Sequence, residues 1–138
     1  MQRRQHRYTV ELRVWDDDLD PDVITRETGL QPCQTRRRGL KRGERIDSEG
    51  LWAFDGGYSQ DWDSLSDGLS FLLDRLRGYE EFFQRYAAKY DVVWWCGHFQ
   101  SAFDGGPTLS HELLERLTFF GASLFIDNYF SRDPDDSA

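Results

Sequence analysis

Six cationic side chains lie within the eleven-residue segment 35–45, TRRRGLKRGER, although the whole chain has a formal net charge of −8. Arginine forms paired hydrogen bonds with phosphate, and glycine lets backbone amides approach an anion. The segment has no aromatic side chain on which a nucleic-acid base could stack. Three interpretations stay open: a loop that binds an anion, nucleotide or nucleic acid, a solvated connection that balances the protein's own acids, and the rim of a protein interface. The cations are Arg36, Arg37, Arg38, Lys41, Arg42 and Arg45.

The acidic stretch 16–27 has the carboxylate spacing of a calcium-binding EF-hand loop. Its sixth position, however, is Pro21, where that loop needs a glycine for its sharp turn. The residues before the stretch also have the pattern of a strand rather than of a helix. We therefore interpret these carboxylates as helix-capping and solvated groups, and we predict no metal site.

Two histidines could belong to a catalytic site. His111 begins the sequence HELLE, in which Glu115 stands where a zinc metalloprotease has its second histidine, so we expect a surface pair of these two side chains. His98 lies in an apolar stretch and could act as a base with a carboxylate, but nucleophilic catalysis needs further groups that the sequence does not reveal. The chain has no phosphate-binding or dinucleotide-binding motif. An enzyme is therefore the least favoured class, and we predict no catalytic residue and no cofactor.

Charge is distributed unevenly along the chain. Residues 1–46 contain 11 basic and 8 acidic residues, whereas residues 47–138 have a net charge of −11. An acidic surface suits a basic protein better than it suits nucleic acid, whose phosphates bind cationic surfaces. We predict a partner-binding surface with two aromatic anchors, Tyr58 and Trp62. Its acidic members are Asp16, Asp17, Asp18, Asp55, Asp61, Asp63 and Asp104.

Length and composition indicate one folded domain over residues 1–138. The chain has five Trp, six Tyr and ten Phe, more aromatic residues than a disordered chain contains. The N-terminus has charge without the apolar core of a signal peptide, and no segment is apolar for about 20 residues. These features predict a cytoplasmic protein that does not bind membranes, with Cys33 and Cys96 as reduced thiols. We expect disorder at residues 1–7 and 131–138.

The first half of the chain predicts two strands around a short helix. Residues 8–15 alternate between apolar and polar side chains, as a half-buried strand does. Asp20 can cap the helix that follows, with Pro21 at its first position and Gly29 as its end. A long polar connection containing at most one short strand then leads to the second strand, GLWAFD.

The second half predicts three helices and two strands. Residues 64–78 and 80–87 have helical apolar spacing, and residues 110–121 form a third helix that begins with the cap Ser110. The segment 91–99, DVVWWCGHF, is apolar on both faces, which predicts a central strand that is covered on both sides or lies at an interface. The last strand is ASLFIDNYF at 122–130.

These elements predict an α+β fold in which an antiparallel or mixed sheet has helices mainly on one face. The tetrapeptide FDGG occurs at 54–57 and at 103–106, each time between a strand and a helix cap. Two β-α-β pseudo-repeats, as in a ferredoxin-like fold, would explain this repetition. The favourable turn chemistry of Asp-Gly explains it equally well.

Taken together, the elements and turns resemble a bacterial family called domain of unknown function 4279. The residues that carry the resemblance are the Leu-Gln-Pro turn at 30–32, the Gly-Leu-Trp start of the second strand at 50–52 and the Leu-Phe-Ile-Asp strand at 124–127. The resemblance extends from about Tyr8 to Tyr129. The resemblance implies a small stand-alone bacterial protein without established catalytic residues. Some members of the family are similar to immunity proteins encoded beside secreted toxins.

We therefore expect a non-catalytic protein-binding domain. Its most concrete form is an immunity protein that neutralises a basic toxin through an acidic surface. The alternative is anion, nucleotide or nucleic-acid binding through residues 35–45. The sequence does not indicate an oligomeric state.

Overall fold

The central strand of the fold is β1 (His6–Asp16), which the alternating pattern near the N-terminus predicts. The structure is a computed structural model that describes residues 5–131, and it confirms the α+β class. Of the segments expected to be disordered, residues 1–4 and 132–138 lie outside this range, whereas His6 and Arg7 form the start of β1. The other elements are α1 (Pro21–Thr28), β2 (Gln34–Arg36), β3 (Lys41–Arg42), β4 (Arg45–Ile46), β5 (Gly50–Phe54), α2 (Leu65–Arg75), α3 (Glu80–Ala87), β6 (Asp91–Gln100), α4 (His111–Phe119) and β7 (Ser123–Phe130).

Five strands form one mixed sheet in the order β2-β5-β1-β6-β7. β1 is antiparallel to both β5 and β6, and β6 is parallel to β7. Because β2 is also antiparallel to β5, β1 and β2 run in the same direction with β5 between them. Two β-α-β units are thus present. In β1-α1-β2 the two strands are separated by β5, and in β6-α4-β7 the two strands are adjacent. β3 and β4 form a separate two-stranded hairpin.

Three of the predicted helix starts are confirmed by side-chain caps. The side chains of Asp20, Ser64 and Ser110 accept hydrogen bonds from backbone amides in the first turns of α1, α2 and α4. Gly29 ends α1 in the left-handed conformation that glycine adopts most easily. α2 ends at Arg75, three residues before the predicted end at Gly78, and the buried Leu76 is its C-cap.

One hydrophobic core lies between the four helices and one face of the sheet. The even-numbered residues of β1 and β6 supply the centre of this face, and Leu12, Val14 and Trp94 are fully buried there. Ile24, Leu69 and the other buried helix residues pack on it. The alternation of β1 therefore determines which of its faces the helices cover.

One local prediction needs correction. The connection between α1 and β5 contains three short strands instead of at most one, because β2 extends the sheet and β3 pairs with β4. Leu113 and Leu117 are the buried residues of α4, whereas Leu114 is 40% exposed. In the part of the chain that the structure describes, no helix has the length and apolarity needed to cross a membrane.

Candidate functional site

The second face of the sheet is the candidate site. The core cluster contains residues of the helices and the even-numbered face of β1, whereas the two depressions on the opposite face are lined by strand and loop residues of the described chain. We call that opposite face the open face. It presents the odd-numbered side chains of β1, β6 and β7, which the strand register places side by side. The arrangement leaves a broad sheet surface facing solvent, which is unusual for a strand as apolar as β6.

Aromatic rings form a row of two groups on the open face, and Gly97 and Asp127 lie between the groups. Trp95 lies opposite Phe125 with a distance of 4.5 Å between ring centroids, and Phe99 stacks on Tyr129 at 4.9 Å. Trp15 approaches the edge of Trp95 at 6.1 Å. Phe125 and Tyr129 are 43% and 46% exposed, so part of this row is in contact with water. Aromatic side chains grouped on one surface are typical of binding sites rather than of a solvated sheet.

An ion pair lies beside the aromatic row. The Nε–H of Arg13 donates to Oε1 of Glu11, and the guanidinium carbon lies 4.2 Å from the ring centroid of Trp95. The two charged side chains are only 21% and 20% exposed. The guanidinium therefore contributes a cation–π contact as well as an ion pair at the centre of the open face.

A groove of about 300 Å³ runs between this row and the β5–α2 loop. Gly97 and Thr9 lie opposite each other at its floor, and a Cβ atom on Gly97 would come within 2.5 Å of the Thr9 Oγ1 atom. Tyr58 and Gln60 line the loop side, and Trp95 lines the sheet side. Because glycine has no side chain, position 97 leaves space that makes the groove deeper.

Cys33 faces the acidic edge of the open face. Its thiol lies 3.6 Å from Oε2 of Glu11, to which it donates. Burial of the thiol, followed by the negative charges of Glu11 and Asp55, raises the pKa of Cys33 to about 12. Glu11 and Asp55 both line the groove, so this part of the surface has two carboxylates close together.

We expect slow alkylation of Cys33 in the folded protein. At pH 8 the raised pKa leaves little thiolate, so iodoacetamide should react about 100-fold more slowly than with an unfolded chain. Glu11→Gln should accelerate the reaction about tenfold, because it removes a negative charge and keeps a hydrogen-bond acceptor. Mass-spectrometric peptide mapping measures each cysteine separately, with buried Cys96 as an internal reference for unfolding. Labelling of Cys33 at the unfolded rate would show that the carboxylates do not control this thiol.

His98, the candidate base, is buried on the core face and belongs to a chain of hydrogen bonds. It is 4% exposed, its Nδ1 lies 2.8 Å from Oδ1 of Asn128, and its Nε2 lies 2.8 Å from Nδ1 of His6. His6 in turn donates to the backbone carbonyl of Asp104 at 2.8 Å. Tyr8 stacks on the His98 ring. No carboxylate of the described residues has a hydrogen bond to His98. The hydrogen bonds of His98 and His6 connect β1, β6, β7 and the β6–α4 loop.

The structure places the residues of the predicted acidic surface in two separate groups. Asp16, Asp17 and Asp18 lie at the C-terminal end of β1. The remainder of the set lies near the N-terminal half of the strand, where Tyr8 forms a two-bond bridge with Trp62. β1 between Tyr8 and Asp16 is roughly 25 Å long. The residues near its N-terminal half are Asp55, Tyr58, Asp61, Trp62 and Asp63 in the β5–α2 loop and Asp104 in the β6–α4 loop.

The aromatic anchors in this set differ in exposure. Tyr58 is 36% exposed and borders the groove. Trp62 is half-buried, because its ring packs on Phe71 and lies against Gly68. Asp61 accepts a hydrogen bond from Arg7 at 3.0 Å. Tyr58 therefore remains available as an anchor, whereas Trp62 mainly holds the loop against α2.

The basic segment 35–45 is spread over different surfaces. Arg36 lies on the open face at the end of β2, whereas Arg37 forms ion pairs with Asp20 and Asp22. Arg38 lies 3.4 Å from Asp18. Lys41 and Arg45 are exposed on the β3–β4 hairpin, and the side chain of Arg42 lies outside the described part of the structure. These contacts favour the interpretation that the arginines balance the acidic stretch 16–22.

The other candidate motifs also make contacts within the protein. Asp18, Asp20 and Asp22 of the calcium-like stretch face arginines, as described above. His111 pairs with the neighbouring Glu112 at 3.4 Å rather than with Glu115, which corrects the expected surface pair. Among residues 5–131, no three His, Cys, Asp or Glu side chains are grouped as a metal ion would require.

Sequence reasoning missed the residues of the open face. Arg13, Trp95, Phe99, Phe125 and Tyr129 were absent from the predicted site. The available signal was the segment 91–99, whose apolar residues on both faces indicated an interface as one possibility. The strand register, which places Glu11 opposite Trp95 and Trp95 opposite Phe125, was needed to bring these residues together.

Comparisons with known proteins give one match. A family model described as "Domain of unknown function (DUF4279)" matches residues 6–131, nearly the whole chain. No curated protein and no solved structure matches the chain.

Proposed function

The chain belongs to the DUF4279 family, whose description states no activity, and from the geometry of its sheet we propose that it is a non-catalytic protein-binding domain. The observation that carries this proposal is the open face, a sheet surface without a covering helix that presents a row of aromatic rings. We propose further that the protein is a bacterial, cytoplasmic immunity protein and that its partner is a basic toxin.

The composition of the open face supports protein binding. Trp, Tyr and Arg are the residue types that contribute most to the affinity of protein interfaces, and this face has Trp95, Tyr129 and Arg13 close together. Arg13 and Glu11 are already paired, so a partner that covers them leaves no isolated buried charge. A central aromatic patch surrounded by polar residues is the usual anatomy of such an interface.

The charge around the open face supports a basic partner. Asp55, Asp61 and Asp63 lie in the loop beside the face, and Asp127 lies on β7 within it. Arg7 pairs with Asp61, but the loop as a whole contributes more negative than positive charge. Complementary charge increases the association rate and disfavours acidic partners. The alternative of anion binding through residues 35–45 is less well supported, because Arg37 and Arg38 already contact carboxylates.

Site-specific cross-linking in the native host tests this proposal. A photoreactive phenylalanine analogue at position 125 is expected to cross-link one protein that the same analogue at position 114 does not cross-link. Phe125 is 43% exposed on the open face and Leu114 is 40% exposed on α4. The two positions are therefore similarly accessible but lie on different surfaces.

Affinity measurements with the purified partner then complete the test. Phe125→Ala should weaken binding at least tenfold, as expected for an aromatic residue near the centre of an interface, and Leu114→Ala should change it less than twofold. Isothermal titration calorimetry gives both values. Equal effects of the two substitutions would show that the open face is not the binding surface.

A further inference from the structure

The groove on the open face has an excess of negative charge. Glu11 and Asp55 both line it, and Arg13, which pairs with Glu11, is the single cation among its lining residues in the described chain. Asp127 adds a carboxylate next to the groove, where it accepts a hydrogen bond from the hydroxyl of Tyr129. A cation that enters the groove therefore meets a net negative field that the narrow, partly apolar walls strengthen.

The walls of the groove are of the kind that hold cations. Trp95, Phe99, Tyr129 and Tyr58 line it, and the face of an aromatic ring attracts ammonium and guanidinium groups. The chain shows this directly on the same surface, where Arg13 lies over Trp95 at 4.2 Å and Arg7 lies over Phe99 at 5.7 Å. Aromatic rings and carboxylates thus converge on one small volume.

We propose that this groove receives a single arginine side chain presented by the basic partner, with its guanidinium beside Asp55 and its methylene groups along the aromatic wall. The inference rests on the proposed function, since it supplies the group by which that partner is recognised. At about 300 Å³ the groove has the size for one side chain and is at the lower limit for an independent ligand. The carboxylates exclude a phosphate or a carboxylate as the occupant.

An NMR titration of the full chain with a small probe tests the inference. N-acetyl-arginine amide is expected to bind with a dissociation constant on the order of 1–10 mM, because one cation–π contact and one ion pair are available. The amide signals of Gly97 and Thr9 and the indole signal of Trp95 should shift. N-acetyl-citrulline amide has nearly the same shape without the charge, and it should bind at least fivefold more weakly.

Two substitutions connect binding to the groove. Asp55→Asn keeps the acceptor that Gly57 uses at 2.8 Å but removes the charge, and it should weaken binding of the arginine probe about fivefold. Tyr58→Ala should weaken it about threefold. The matched controls are Asp91→Asn, which removes an exposed charge at the far end of β6, and Phe119→Ala, which removes a 64% exposed ring on α4. Neither control should change binding.

Equal binding of the arginine and citrulline probes would overturn the inference, as would equal effects of Asp55→Asn and Asp91→Asn. These measurements use no partner protein, so they are independent of the cross-linking experiment. A partner that binds the open face although the groove does not discriminate arginine from citrulline would refute the groove alone. Discrimination in the groove without any cross-linked partner would refute the proposed protein-binding function alone.

Discussion

Replacing Gly50 with alanine is expected to lower the free energy of unfolding by about 3 kcal/mol or to prevent folding. A Cβ atom at this position would lie 2.0 Å from the backbone carbonyl oxygen of Leu19. A flexible side chain could move away, but this oxygen belongs to the turn that leads into α1. β5 and that turn would have to separate, and β5 is hydrogen-bonded to both β1 and β2.

Urea denaturation followed by circular dichroism measures this effect. Gly106→Ala is the matched control, because nothing lies within 4 Å of the added Cβ and its φ is not positive. We expect that control to change stability by less than about 0.5 kcal/mol. A Gly50→Ala protein with the denaturation midpoint of the original chain would show that the turn and β5 do not meet as the structure places them.

Trp94→Ala is expected to lower the free energy of unfolding by about 4 kcal/mol. Trp94 is fully buried on the core face, where its indole Nε1–H donates to the carbonyl of Leu117 at 3.0 Å and its ring meets the edge of Phe120. Removing it leaves a large cavity between β6 and α4, and the Leu117 carbonyl loses the indole donor while it keeps the backbone N–H of Phe120. The same denaturation measurement gives the loss.

The adjacent Trp95 supplies the matched comparison, since it lies on the open face of the same strand. Trp95→Ala should lower the free energy of unfolding by only about 1 kcal/mol, because no helix packs on that face and solvent can replace part of the lost contacts. It should nevertheless weaken partner binding at least tenfold. Equal destabilisation by both substitutions would contradict the interpretation that one face of β6 stabilises the fold and the other face binds a partner.

The helices were predictable because their signals are local. Asp20, Ser64 and Ser110 each hydrogen-bond to backbone amides within the next few residues, so a cap can be recognised without knowledge of the rest of the fold. Apolar spacing then identifies the buried face of each helix, as it did for α2. The end of α2 was predicted too late because Leu76, which continues the apolar spacing, packs in the core as the cap rather than as part of the helix.

The candidate site was much less predictable. The net charge of each half of the chain suggested one acidic surface, but charge summed along a sequence carries no information about distance in space. The length of β1 separates Asp16 from the β5–α2 loop, and arginines of the basic segment neutralise part of the acidic stretch. Asp55 and Tyr58, which the sequence predicted as partner-binding residues, line a surface groove that the sequence did not indicate.

The sequence by itself determined the α+β class, the starts of the capped helices, the core face of β1 and the family to which the chain belongs, because capping and apolar alternation act over a few residues. Only the tertiary structure decided the strand order β2-β5-β1-β6-β7. It also decided that Glu11, Trp95 and Phe125 form one row on the other face. The physical reason is that strand order and register depend on contacts between segments up to about a hundred residues apart, which no local pattern specifies.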